Sequence, residues 1–307
     1  MPGSSDSPRP VRAAVIPPAF EAVRALAPEG VEVVLADESA DLETVDFLVP
    51  GSVYPELLER MPALTRVAAV QVLSAGTDWV EPYVPSQATL CNARGTRDAP
   101  VAEWVVGALL GVCTRLLESA PVHTWTKREV VELGGWTVMI VGMGSIGHCV
   151  ARYLAPFGTE VIGVASRARD GLHGIDELPA LLPGADAVVV LTPLTDATRG
   201  LIGARELAAM HDGAVLINAA RGAVVDTDAL VAEVSTGRLC AVLDVTDPEP
   251  LPDDHPLWSA PGVLSITAHI AGDSAAANAR AAELAGRQLV RWCAGEELHN
   301  IVRRGTG

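Results

Sequence analysis

From Trp136 onward the chain repeats one unit of construction, a short run of aliphatic and β-branched residues followed by a longer stretch with helical periodicity. The runs are "WTVMIVG", "TEVIGVA", "DAVVVLTP", "GAVLINAA", "LCAVLDV" and "VLSITAH". Strands separated by helices cannot pair as hairpins, so they lie parallel with crossover helices on both faces of the sheet. Their nearly continuous apolar character suits strands buried on both sides. The second half is therefore predicted to be a doubly wound parallel sheet. The first half repeats the pattern more weakly in "VRAAVIP", "VEVVLA", "DFLVPG", "RVAAVQVLS" and "ATLCNAR", which predicts a second, smaller α/β unit.

Between the halves, "GTRDAPVAEWVVGALLGVCTRLLES" reads as a linker and then a long helix, with Pro100 suited to a helix start. After "HIAGDS" only one long helix and a short tail are expected, with no further strand, and the simplest architecture returns that helix to the first unit. Residues 98–272 would then form a domain inserted into a second one made of residues 1–97 and 273–307.

Composition narrows the function. The chain has 307 residues, nearly half of them apolar, and a formal net charge of -16 with no basic run. That argues against binding the phosphate backbone of a nucleic acid. The greasy stretch "VAEWVVGALLGVC" contains Glu103 and is shorter than the ~18 apolar residues a membrane span requires, so no membrane association is expected. Cys91, Cys113, Cys149, Cys240 and Cys293 are scattered, odd in number and without a C-x-x-C pair. That pattern suits a reducing cytosol and gives no metal site. The opening "MPGSSDSPRP" lacks the apolar core of a signal peptide and reads as a loose tail.

"GMGSIG", residues 142–147, follows a buried run and opens the helical "SIGHCVARYLAPFG". In that context it predicts a dinucleotide-binding loop of the Rossmann type, with the pyrophosphate on the helix N-terminus. An acidic residue usually follows about 20 residues on, to hold a ribose hydroxyl. Here Ala165, Ser166 and Arg167 occupy that place. The absence of the acid and the presence of Arg167 predict a preference for NADP(H) over NAD(H), with Ser166 and Arg167 receiving the 2′-phosphate.

Taking "WTVMIV" as strand 1 of the order 3-2-1-4-5-6 places Arg221 after strand 4, Asp244 and Glu249 after strand 5, and His269 after strand 6. All four then lie on the ligand edge, on one side of the switch point, and Ser166 and Arg167 lie on the other. The nicotinamide would sit among the first group and the adenosine beside the second. A guanidinium, a carboxylate and an imidazole around a nicotinamide suit reduction of a 2-oxo acid. Arg binds the substrate carboxylate, His donates a proton to the ketone oxygen, and a carboxylate holds the ring. Arg221, His269 and Glu249 can fill these roles, although composition alone does not choose Glu249 over Asp247, Asp253 or Asp254.

These segments resemble the D-2-hydroxyacid dehydrogenase family, which includes glyoxylate and hydroxypyruvate reductases and phosphoglycerate dehydrogenases. "GMGSIG", "LTPLTDATRGLI", "LINAARGAVVDTDAL", "LDVTDPEPLPDDHPLW" and "TAHIAG" carry the likeness, which covers nearly the whole chain. It implies a Rossmann nucleotide domain inserted into a smaller flavodoxin-like substrate domain, and a homodimer built through the inserted domain. It implies Arg221, Glu249 and His269 as the catalytic set, and Asp244 as the partner of the nicotinamide carboxamide. Gly142, Gly144, Ser145, Ile146 and Gly147 would bind the cofactor, with Thr192, Pro193, Thr198, Ala219, Ala220 and Gly272 beside it. "SAGTD", residues 74–78, resembles the loop that binds the substrate carboxylate, so Ala75 and Gly76 would face the substrate together with Arg221 and His269.

Three departures stand out: the missing acid after strand 2, Ala268 where proline is usual, and Ala75 for a common glycine. The chain is thus expected to reduce a small 2-oxo acid such as glyoxylate or hydroxypyruvate to the D-2-hydroxy acid. The alternatives are a nucleotide-sensing corepressor-like protein and a formate- or phosphite-type dehydrogenase. Trp125, in "PVHTWTK", is open to two readings, packing against the end of the long helix or reaching a partner subunit or a substrate mouth.

Overall fold

The computed structural model describes residues 10–37 and 40–306. Residues 1–9, the greater part of the expected loose tail, lie outside the described residues. The chain divides into two compact units, Met1–Arg97 with Ala275–Gly307, and Asp98–Ser274.

The first unit begins with β1 (Arg12–Val15), α1 (Pro17–Leu26), β2 (Glu32–Leu35), β3 (Phe47–Val49), α2 (Pro55–Arg60), β4 (Ala69–Gln71) and β5 (Thr89–Cys91). Pro17 and Pro55 open their helices, where the missing N–H costs no ladder bond. The five strands are parallel in the order β2-β1-β3-β4-β5. This is the flavodoxin order, and β3 is buried throughout at its centre.

The second unit runs α3 (Asp98–Cys113), α4 (Leu116–Ser119), β6 (Thr137–Val141), α5 (Ser145–Leu154), β7 (Glu160–Ala165) and β8 (His173–Gly174). It continues with α6 (Leu178–Leu181), β9 (Ala187–Val190), α7 (Ala204–Ala209), β10 (Val215–Asn218), α8 (Thr227–Thr236), β11 (Cys240–Leu243) and β12 (Val263–Ile266). The sheet is parallel, in the order β8-β7-β6-β9-β10-β11-β12. Alternate residues of each strand feed different cores. Met139 and Val141 join Val188, Val190 and Leu216 beneath Leu207 of α7 and Leu230 of α8. Val138 and Ile140 join Val189 and Ile217 beneath Val105 and Leu109 of α3 and Val150 of α5. That division is why these strands read as apolar without alternation.

Two expectations are corrected here. The third strand of the Rossmann order is the two-residue β8, which leaves no periodic trace in the sequence, so "DAVVV" is the fourth strand and every later strand moves up by one. The expected placement survives, because β9 through β12 still lie together on one side of β6 and β7 on the other. The second correction lies at the C-terminus. After α9 (Ala275–Cys293), which packs on α1, the chain forms β13 (Ile301–Arg303), antiparallel to β5. Three residues give too little alternation to be read. The strand is held by its pairing and by Arg303, whose guanidinium donates to Val84 O and Pro85 O at 3.0 and 2.8 Å.

Among the described residues no helix is long and apolar enough to cross a membrane, and no group of three or more His, Cys, Asp or Glu is placed to hold a metal ion.

Candidate active site

The three glycines of the β6–α5 loop and the first turn of α5 answer to different steric demands. Gly142 has φ +116, and a Cβ on it would lie 2.6 Å from the Leu191 carbonyl carbon. A Cβ on Gly147 would lie 2.4 Å from Gly142 O, so α5 can start this close to the strand only with glycine there. A Cβ on Gly144 would meet nothing within 4 Å, which leaves that side of the backbone open to approach. The ladder of α5 begins with His148 N to Gly144 O at 3.0 Å, so the amides of Ser145, Ile146 and Gly147 have no intrahelical acceptor. The Ser145 hydroxyl instead donates to Asp98 Oδ1 at 3.1 Å.

Thr192 lies beside this loop, just past β9. Its Oγ1 is buried and has no hydrogen-bond partner. An orphaned hydroxyl of this kind costs about 1–3 kcal/mol unless a ligand completes it. The open glycine, the unpaired amides and the orphaned hydroxyl together fit a dinucleotide pyrophosphate. Thr198 is committed to the loop itself, donating to Pro193 O at 2.6 Å and accepting from Thr195 N at 2.8 Å.

On the other side of the sheet edge, β10, β11 and β12 deliver the polar set. Asn218, buried at the end of β10, accepts from Ala220 N at 3.1 Å and donates to Arg221 O at 3.1 Å, which shapes the turn through Ala219 and Ala220. Arg221 Nη1 donates to Ala220 O at 2.8 Å. A Cβ on the next residue, Gly222, would lie 2.0 Å from the Thr246 carbonyl, so glycine lets the Arg221 turn pack directly on the chain leading to Glu249. Thr227 Oγ1 fastens the same segment by donating to Asp247 O at 2.9 Å.

Asp244, 3% exposed after β11, organises the segment after β12. Its carboxylate accepts from Thr267 Oγ1 at 2.6 Å, Ile270 N at 2.8 Å and Ala271 N at 3.0 Å. Its carbonyl accepts from His269 N at 2.8 Å. Three of roughly four acceptor positions are thereby filled, which makes Asp244 a brace for the His269 segment. Gly272 closes the segment. His269 itself has φ 55, and its Nδ1 lies 2.7 Å from Glu249 Oε1. The two side chains are each less than half exposed. Of the acids in "DPEPLPDD", the structure pairs Glu249 with the histidine.

Ser166 and Arg167 leave the carboxyl end of β7, across β6 from this set. Both are exposed, and neither Arg167 nor Arg169 makes a side-chain hydrogen bond or ion pair among the described residues. Ala75 and Gly76 belong to the other unit, at the exit of β4. Asn92 Nδ2 donates to Ala75 O at 2.7 Å and Ser74 Oγ to Gly76 O at 2.6 Å. In a trans peptide the N–H points opposite the carbonyl, so the amides of Gly76 and Thr77 point away from these anchors.

The family model for the "D-isomer specific 2-hydroxyacid dehydrogenase, NAD binding domain" matches residues 109–271, more than half of the chain. The chain belongs to this family. Glyoxylate reductase of Thermofilum pendens is 33% identical over 264 residues, 80% of this chain and 78% of that protein. An NADPH-dependent glyoxylate/hydroxypyruvate reductase of Sinorhizobium meliloti, solved with NADP and sulfate, is 30% identical with a TM-score of 0.81, covering 95% of this chain and 98% of that one. The mitochondrial formate dehydrogenase of Hordeum vulgare is 35% identical over 185 residues, 57% of this chain and 49% of that protein.

As a 2-hydroxyacid dehydrogenase the protein is an oxidoreductase that works on small 2-hydroxy and 2-oxo acids with a nicotinamide dinucleotide. Sequence reasoning missed Asn218, Thr267 and Asn92, which hold this dehydrogenase's loops. A polar residue at the end of an apolar strand is the only signal that points to the first. The cysteines of the dehydrogenase offer no competing nucleophile at the two deepest positions, since burial pushes the thiols of Cys91 and Cys113 up to about 11.

Proposed function

We propose that the enzyme reduces a small 2-oxo acid of the glyoxylate or hydroxypyruvate kind to the D-2-hydroxy acid, with NADPH as the preferred reductant. The observation that carries this reading is the 2.7 Å contact between His269 Nδ1 and Glu249 Oε1. A carboxylate on Nδ1 fixes the orientation of the ring, so that Nε2 is the atom that passes a proton to the ketone oxygen. Arg221 supplies a planar fork for the substrate carboxylate. The 74–78 loop keeps the carboxylate-binding role that the resemblance gives it, with Ala75 and Gly76 facing the substrate. The cofactor, when bound, supplies the hydride.

The preference for NADPH rests on Arg167 and Arg169, two exposed guanidiniums without partners at the exit of β7, where no acid stands to repel a 2′-phosphate. The S. meliloti enzyme, NADPH-dependent by name, supports it. We also place the enzyme in the cytosol as a homodimer that binds no nucleic acid. Residues 116–131 expose Leu116, Val122, Trp125, Val130 and Val131, an apolar stretch that suits a subunit interface.

A panel of 2-oxo acids assayed with NADPH and NADH tests the reading. Glyoxylate or hydroxypyruvate should turn over with the higher kcat/KM for NADPH, and Arg167→Ala should lower that value for NADPH while sparing NADH. Equal use of both cofactors would remove the preference. Oxidation of formate or phosphite with no turnover of any 2-oxo acid would replace the reaction, and tight cofactor binding without turnover would favour a sensor.

A further inference from the structure

Past the end of β7, Arg169 closes a short hairpin, and Arg167 lies two residues before it. Arg169 N donates to Leu172 O at 3.1 Å, and Leu172 N donates back to Arg169 O at 2.7 Å. The residues between them, Asp170 and Gly171, have φ 42 and 79, which makes a two-residue turn of the type favoured by Asp-Gly. The turn places Leu172 back over the sheet. A Cβ on Gly163 of β7 would lie 2.6 Å from Leu172 Cδ2, 2.9 Å from Met143 Cγ and 3.2 Å from Met143 Sδ. Leu172 and Met143 therefore share the space that this glycine vacates. Met143 is the second residue of the glycine loop and is itself buried. Gly174 on the neighbouring β8 makes a similar allowance, since a Cβ there would lie 3.2 Å from Ala168 N.

We infer that Leu172 is a positioning residue for cofactor choice, fastening the hairpin that begins at Arg169, two residues past Arg167, to Met143 of the glycine loop. The inference rests on the proposed reading of Arg167 as the 2′-phosphate partner and explains how a surface arginine can be selective. A guanidinium on a free loop loses rotamer and backbone entropy when it binds a phosphate, and that cost erodes the gain. A closed turn anchored by a half-buried leucine has already met the backbone part of the cost. The anchor sits on the same residue run that receives the pyrophosphate, so the spacing between the two phosphate sites is set before any ligand arrives. Asp170 makes no ion pair with either arginine and serves the turn through its backbone.

The test uses the full-length enzyme and equilibrium binding, read by quenching of intrinsic fluorescence, with four probes: NADPH, NADH, adenosine 2′,5′-bisphosphate and ADP. Leu172→Ala should weaken NADPH and the 2′,5′-bisphosphate roughly tenfold while NADH and ADP stay within about twofold, because only the 2′-phosphate depends on the hairpin. Leu172→Met, which can refill the space over Gly163, should restore most of the affinity. Gly171→Val lies on the exposed turn and leaves the core untouched, yet it forces a β-branched residue to positive φ and should give the same selective loss. Equal weakening of all four probes, or no change in any, overturns the anchor. If Arg167→Ala is selective and Leu172→Ala is not, the anchor fails alone. If Leu172→Ala is selective and Arg167→Ala is not, the reading of Arg167 fails and the hairpin stands.

Discussion

His269 shows how a single residue is held for chemistry. At φ 55 it occupies the left-handed region, which costs a β-carbon-bearing residue of the order of 1–3 kcal/mol. The cost is met by the bonds that flank it, from His269 N, Ile270 N and Ala271 N to Asp244. The result aims the imidazole at Glu249 and leaves Nε2 available. His269→Ala should lower kcat by about 10² to 10⁴, the usual worth of general acid catalysis, with NADPH binding unchanged in a fluorescence titration. Turnover near the wild-type rate would take the proton-donor role away from His269. At Arg221, lysine keeps the charge and loses the fork, so Arg221→Lys should raise KM for the 2-oxo acid more than it lowers kcat. Unchanged steady-state constants would show that Arg221 does not bind the carboxylate.

At the scale of elements, the site is assembled by strand exits that touch one another. β10 ends in Asn218, which folds the Arg221 turn, and β11 is followed by Asp244, which folds the His269 segment. Neighbouring exits pack tightly at Gly222, where a Cβ would lie 2.0 Å from the Thr246 carbonyl and 2.5 Å from Asp247 N. The obstacle there is main chain, which cannot rotate aside like a side chain. Gly222→Ala should therefore shift the Arg221 turn away from the Glu249 loop. We expect a stability loss of about 1–3 kcal/mol in urea unfolding, typical of overpacking, and a fall in kcat/KM larger than that in cofactor affinity. A fully active Gly222→Ala enzyme would show that the packing of the two exits does not set the geometry.

For the molecule as a whole, the exposed apolar stretch at residues 116–131 is the feature that a lone chain does not explain. Trp125 is fully exposed, which corrects the reading in which it packs on the end of α3 and leaves the reading in which it reaches a partner subunit or a substrate mouth. Exposed tryptophan and valine side chains together form the kind of surface that interfaces cover. Sedimentation at micromolar concentration should give a dimer, and Trp125→Ser with Val130→Ser should shift it toward monomer. A wild-type monomer under those conditions would refute the assembly.

The sequence alone determined the parallel sheets, the glycine loop and the residues at the strand exits, because burial on both faces and tight backbone approach leave direct marks on residue type. It could not show β8 or β13, since two- and three-residue strands are stabilised by the pairing they join and carry no period of their own. Nor could it choose Glu249 among the neighbouring acids, because that choice is a distance to His269 and depends on how two strand exits meet. The hairpin at residues 169–172 lies between these cases. Asp-Gly announces the turn, and only the tertiary structure shows Leu172 and Met143 sharing the space over a glycine on another strand. Local conformational preference is written residue by residue, whereas contact between segments distant in the chain is decided when the core closes.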